Sequence, residues 1–143
     1  MNYQSFWTNQ SYAVVGHSAK KRFPIISYGK LKQQGKIVFP VDPSVKEIDG
    51  DKVFPDLASF PEKVEAVIIE LPKKETKEWV EKTIAAGINN VWIHMNCDTP
   101  EAISVAQENG MNLFYGTCAV MYLAQGFSMH SFHGWLNRRL GKY

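Results

Sequence analysis

Cysteine is scarce in this chain of 143 residues: Cys97 and Cys118 are the only two. They make no disulfide framework, so the fold must rest on a hydrophobic core, and reduced thiols in a cytoplasmic setting are the simplest expectation. Long apolar runs are missing as well. None approaches the ~20 residues that a membrane helix needs, so no membrane partner is expected. The opening MNYQSFWTNQ has neither the basic start nor the apolar stretch of a signal peptide. Charge of one sign is not in excess: 16 basic and 14 acidic residues leave a net charge of +2, which argues against nucleic acid as a partner. No internal repeat, low-complexity tract or linker appears, so residues 1–143 are expected to form one domain, long enough to bury a core.

What is present is alternation. The runs YAVV (12–15), KIVFPV (36–41), EAVIIEL (65–71), NNVWIHM (89–95) and NLFY (112–115) are rich in Val, Ile and aromatics and read as strands. The central ones are almost continuously apolar, as strands covered on both faces should be. Helical patterns lie between them. One starts at Pro24 and stops at Gly35; another runs from Lys73 to Gly87 with Trp79, Val80, Thr83 and Ile84 on one face. A third opens with Asp98 and Glu101 in a capping-box spacing and closes at Gly110. Segment 47–54 reads as a turn or short hairpin, 55–64 as holding one short helix, and the chain from about 119 as a helical extension interrupted by Gly126 and Gly134. Strand–helix alternation predicts an α/β, Rossmann-like three-layer sandwich with a parallel sheet of about five strands. Its ligand crevice lies beyond the carboxyl ends of the strands.

The turn after the first strand, Gly16-His17-Ser18-Ala19-Lys20-Lys21-Arg22, places three cations just before a helix N-terminus. That end of a helix already carries partial positive charge and exposed N–H groups, an arrangement a phosphate would stabilise. Two readings stand: a phosphate-holding turn, in which Gly16 allows the bend and Ser18 donates its hydroxyl, or a solvated basic loop. The dinucleotide fingerprint G-x-G-x-x-G is absent, and no G-K-[ST] follows as in a P-loop. Ligands richer in phosphate, coenzyme A or NADP, suit the turn better than NAD.

Taken together, AVVGHSAKKRFP, IVFPVDPSVKEIDGDKVFPDLASFPEKVEAVIIELP, AAGINNVWIHM and GTCAVMYL resemble the small bacterial CoA-binding domain proteins over roughly residues 10–122. More distantly they are similar to the CoA-binding domain of the succinyl-CoA synthetase alpha subunit. The resemblance implies a Rossmann-like fold that holds coenzyme A or an acyl-CoA; a chain this short has no second domain to supply a catalytic partner, so binding without catalysis of its own is the expectation. It implies that Gly16, Ser18, Lys20, Lys21 and Arg22 hold phosphates, with His17 in the same cofactor-binding turn, and that Val41, Asp42, Pro43, Leu71, Pro72 and Lys73 border the adenosine. The pantetheine arm would run towards His94–Cys97, including Asn96, and Cys118, with Lys46 able to reach a phosphate. The sequence departs from the family at His17, where a small residue is common, and at Asn96, where the family has a glycine.

Other constellations carry rival readings. A carboxylate at the end of the second strand, Asp42, is where NAD enzymes bind a ribose hydroxyl, which keeps an NAD(P)-dependent oxidoreductase as the alternative; turn chemistry before Pro43 explains the same residue. A nucleotide-binding regulatory or interaction protein is a further alternative. His94, Cys97 and Cys118 fall at the ligand edge and form either a nucleophilic site or inert buried thiols. His130 and His133 could share a helix face, but no second ligand pair has metal spacing, so no metal is expected. Phe127, Met129, Phe132, Trp135 and Leu136, mixed with Arg138 and Arg139, read either as a homodimer contact or as a terminal helix docked on its own domain. Glu75, Glu78 and Glu81 with nearby lysines read as a solvated helix face.

Overall fold

The computed structural model describes residues 3–19 and 22–124. Its strands are β1 (Ser11–Gly16), β2 (Ile37–Val41), β3 (Glu47–Ile48), β4 (Asp51–Lys52), β5 (Ala66–Glu70), β6 (Asn90–Ile93) and β7 (Asn112–Phe114). Its helices are α1 (Tyr3–Phe6), α2 (Phe23–Gln33), α3 (Lys73–Ala85), α4 (Pro100–Glu108) and α5 (Ala119–Ala124). Five strands form one parallel sheet in the order β2-β1-β5-β6-β7. This is the sandwich that the alternation predicts.

The sheet is buried on both faces, which explains the apolar runs. Ala13, Val15, Val67, Ile69, Val91 and Ile93 join the core under α3 and α4. Their strand neighbours Tyr12, Val14, Ala66, Ile68 and Trp92 point the other way, into an aromatic core with Phe6, Tyr28 and Phe114. Each fully buried aliphatic or aromatic side chain contributes roughly 1.5–3 kcal/mol. The second core is sealed by α1, which periodicity did not announce. Phe6 is 1% exposed, with ring centroids 5.4 Å from both Trp92 and Phe114.

The helices end where the sequence marks them, two residues before Gly35, Gly87 and Gly110. On α3, Thr76, Trp79, Val80 and Thr83 are buried, while Lys82 reaches Glu78 at 3.7 Å on the solvated side. The start of α4 corrects the sequence reading. Thr99, not Asp98, is the cap: its hydroxyl accepts the Ala102 N–H at 3.1 Å. Pro100 takes the first helical position, so the cap falls on the residue directly before it.

Segment 47–54 is a two-stranded hairpin, β3 with β4. Asp49 and Gly50, both at positive φ, make its two-residue turn. Asp51 ties the hairpin to α2 by accepting from the Tyr28 hydroxyl and Lys32. The short helix expected in 55–64 does not form. Asp56 Oδ1 accepts the Ala58 N–H at 2.9 Å, a local bond that competes with helix, and Phe60 is drawn onto the core beside Phe39 and Phe54. At the C-terminal end α5 begins at Ala119; Gly126 and the aromatic and histidine positions 127–139 lie outside the described residues. Among the described residues, no helix is long and apolar enough to cross a membrane.

Candidate functional site

β1 has β2 on one side and β5 on the other, so the strand order reverses between β1 and β5. Parallel α/β sheets open a crevice at that point, beyond the carboxyl ends of the strands. Here it is a cavity of about 400 Å³. Its walls are Glu70–Lys73 from the end of β5, His94–Cys97 from the end of β6, His17 and Phe23 from either side of the basic turn, and Cys118 ahead of α5.

The turn is shaped by a close approach. Gly16 pairs with Glu70 across β1 and β5, and a Cβ built on it would lie 2.1 Å from Pro24 Cγ. Only glycine lets the first turn of α2 sit this close to the end of β1. That first turn has no acidic residue and no side-chain cap; Pro24 has no N–H and the Ile26 N–H bonds the Arg22 carbonyl at 3.2 Å, so Phe23 and Ile25 supply the N–H groups it can offer an anion. Asp42, 2% exposed, clamps the turn to β2. Its Oδ2 accepts the Ser18 N–H at 2.8 Å and its Oδ1 accepts from the Ser44 N–H at 2.9 Å and the Ser44 hydroxyl. Ser44 Oγ in turn accepts the Ala19 N–H at 3.0 Å. Both carboxylate oxygens of Asp42 are therefore engaged in turn chemistry. Among the described residues, Ser18 Oγ and His17 Nδ1 are buried without a hydrogen-bond partner. A native structure rarely leaves such groups unsatisfied; His17 lines the cavity and Ser18 stands in the turn beside it.

The far side of the cavity holds a buried charge pair. His94 Nδ1 lies 3.1 Å from Glu70 Oε2, although the ring N–H is not aligned with that oxygen. Ser27, fully buried in α2, donates its hydroxyl to the same oxygen at 2.9 Å. Burial alone presses the imidazole pKa down. Interaction with the Cys118 side chain, then with the nearby Glu70 carboxylate, outweighs it and raises the pKa from 6.5 to about 9. The Phe23 ring lies against the imidazole, centroids 4.5 Å apart. Among the described residues, Glu70 Oε1 is buried without a hydrogen-bond partner.

Of the residues singled out from sequence, His17, Leu71, Pro72, Lys73, Asn96 and Cys118 meet in this cavity, with His94 and Cys97. Gly16, Ser18 and Asp42 build the adjoining turn. Val41 is packed in the core, and Pro43 and Arg22 are exposed. Lys46 is exposed, its carbonyl bonded within the hairpin segment, and is not part of the cavity wall. Lys20 and Lys21 lie outside the described residues. Asn96 has φ +69°, the left-handed region, which is the reason a glycine suits that position and asparagine can replace it. Sequence reasoning missed Glu70 and Phe23. Glu70 did leave a signal: one carboxylate at the end of the apolar run AVIIE.

Comparison with known proteins bears on the family and the fold. A family model described as CoA binding domain matches residues 10–124. Among solved structures, a hypothetical protein from Pyrococcus horikoshii OT3 is 30% identical, with a TM-score of 0.73 over 82% of this chain and 84% of that one. A Thermus thermophilus protein known as cell-free ID.343 is 22% identical, with a TM-score of 0.76 over 89% of this chain and 100% of that one. A dinucleotide-forming acetyl-coenzyme A synthetase from Ca. Korarchaeum cryptofilum shares the fold at 22% identity and a TM-score of 0.62, over 79% of this chain and 27% of that one.

Proposed function

Since the chain belongs to the CoA-binding-domain family, we propose that it binds coenzyme A or an acyl-CoA along the edge formed by β1, β5 and β6. The Gly16–Arg22 turn and the first turn of α2 hold phosphate, with Lys20, Lys21 and Arg22 supplying positive charge. Val41, Asp42 and Pro43 with Leu71, Pro72 and Lys73 border the adenosine, Asp42 acting through the turn it clamps. The pantetheine arm runs inward past Asn96 towards Cys118.

The observation that carries this reading is continuity. His17 and Phe23, on the two sides of the basic turn, both line the cavity whose other wall contains Cys118. A ligand anchored by phosphate at the uncapped helix start would therefore project its other end among Leu71, Pro72 and the thiols. A dinucleotide has no comparable reason to enter an apolar cavity ending in cysteine.

Calorimetric titration of the reduced protein with CoA, NAD and NADP tests the reading. CoA is expected to bind. Replacing Lys20, Lys21 and Arg22 together with Ala should weaken it about tenfold or more, equivalent to about 1.4 kcal/mol per decade, and flatten its salt dependence. Binding of NAD or NADP without CoA would overturn the proposal.

A further inference from the structure

We propose that Cys118 is an acyl acceptor: it takes the acyl group of a bound thioester, with His94 as proton donor to the departing thiol and Glu70 as the residue that positions and charges His94. This rests on the CoA reading for delivery of the thioester.

The placement carries it. Glu70, His94 and Cys118 are 5%, 2% and 8% exposed, come from three separate segments and line one cavity. Ser27 fixes the Glu70 oxygen that faces the imidazole. Glu70 lines the cavity, and among the described residues its other oxygen is buried without a hydrogen-bond partner, an uncommon state for a carboxylate in a native core. A buried charge pair is costly to hold, and perturbed titratable groups in a cleft mark candidate functional sites. A cationic imidazole beside a thiol favours the thiolate, the nucleophilic form. Phe23, Leu71, Pro72 and Met95 supply an apolar wall suited to an acyl chain.

The step balances without an added oxidant or reductant. The Cys118 thiolate attacks the thioester carbonyl carbon and a new C–S bond forms. The bond from that carbon to the carrier sulfur breaks, and the departing thiolate takes the proton from His94. The products are S-acyl Cys118, a free carrier thiol and neutral His94. A carrier thiol titrating near ~8.5 is well matched to a donor raised to about 9. Among the described residues, the other titratable groups facing the cavity are Cys97, His17 and Lys73.

Two measurements on the full chain test it. First, iodoacetamide alkylation of Cys118 in ligand-free protein is followed against pH by peptide mapping. The midpoint is expected well below the ordinary thiol value of about 8.5 and should move upward in H94Q and E70Q. Second, acetyl-CoA and the phosphate-free thioester S-acetyl-N-acetylcysteamine are each incubated with the protein, and the adduct is located by mass spectrometry. Acetylation of Cys118 is expected, absent in C118S and slowed roughly 10²-fold in H94Q, each variant being checked for folding by circular dichroism. No adduct on Cys118, or one on Cys97 alone, overturns the proposal whatever the alkylation profile. If calorimetry still shows CoA binding in that case, the binding reading survives it. Acetylation by the small thioester without any CoA binding would support the thiol chemistry and refute the CoA reading instead.

Discussion

Gly16→Ala is the perturbation that most directly tests how the basic turn meets the helix. A Cβ at this position would sit 2.1 Å from Pro24 Cγ and 2.4 Å from Pro24 Cβ. Ordinary carbon contacts lie near 3.5–4.0 Å, so the strand end and the first turn of α2 must separate by about 1.5 Å. The proline ring cannot rotate away as a flexible side chain could. Overpacking of this kind costs about 1–3 kcal/mol. It also displaces Arg22 and Phe23, and with them the contact between Phe23 and His94. Gly29 is the internal control. It lies inside α2, and an added Cβ would meet only Asp49 Oδ2, at an ordinary 3.5 Å. Gly29→Ala should therefore stabilise by about 0.5–1 kcal/mol through helix propensity. Urea denaturation reads both values, and calorimetry with CoA reads the site. The expected pattern is opposite signs in stability, with CoA affinity lost only in G16A. If G16A is as stable as the parent and binds CoA unchanged, the close-approach argument is wrong.

Three further outcomes are expected. In E70Q the His94 pKa, followed by NMR of the imidazole, should fall from about 9, because one raising influence is removed while burial remains. As to sign, stabilisation of the imidazolium by its partners is complete below about 6.5 and is withdrawn as pH rises through about 9, so E70Q should differ least from the parent in the alkaline range. D42N places an amide where the Ser18 N–H now finds an acceptor, or turns it onto Ser44, and should cost about 1–3 kcal/mol in denaturation with weaker CoA binding. F6A should cost about 3–5 kcal/mol by opening the aromatic core that α1 seals, which thermal unfolding would register.

Much of this molecule is dictated locally and can be read from the chain. Strands covered on both faces must be apolar throughout, so the five sheet strands are visible as runs, and the helices announce themselves by face and by glycine ends. Asp49-Gly50 specifies its turn by backbone preference alone. A parallel sheet of this class opens its crevice beyond the carboxyl ends of the strands, which is the edge where His17, Leu71, Asn96 and Cys118 meet. What only the tertiary structure decided is pairwise and distant in sequence. Asp42 engages Ser18 through space, and only the fold shows the bonds by which its carboxylate holds the turn. Thr99 displaces Asp98 as cap because Pro100 takes the first helical position, and Phe60 is drawn onto Phe39 in place of a helix turn. Glu70, an isolated acid in an apolar strand, acquires meaning only when Ser27 and His94 arrive from neighbouring elements. No periodicity encodes that meeting, because its energy lies in burying a carboxylate beside an imidazole that the chain places 24 residues away.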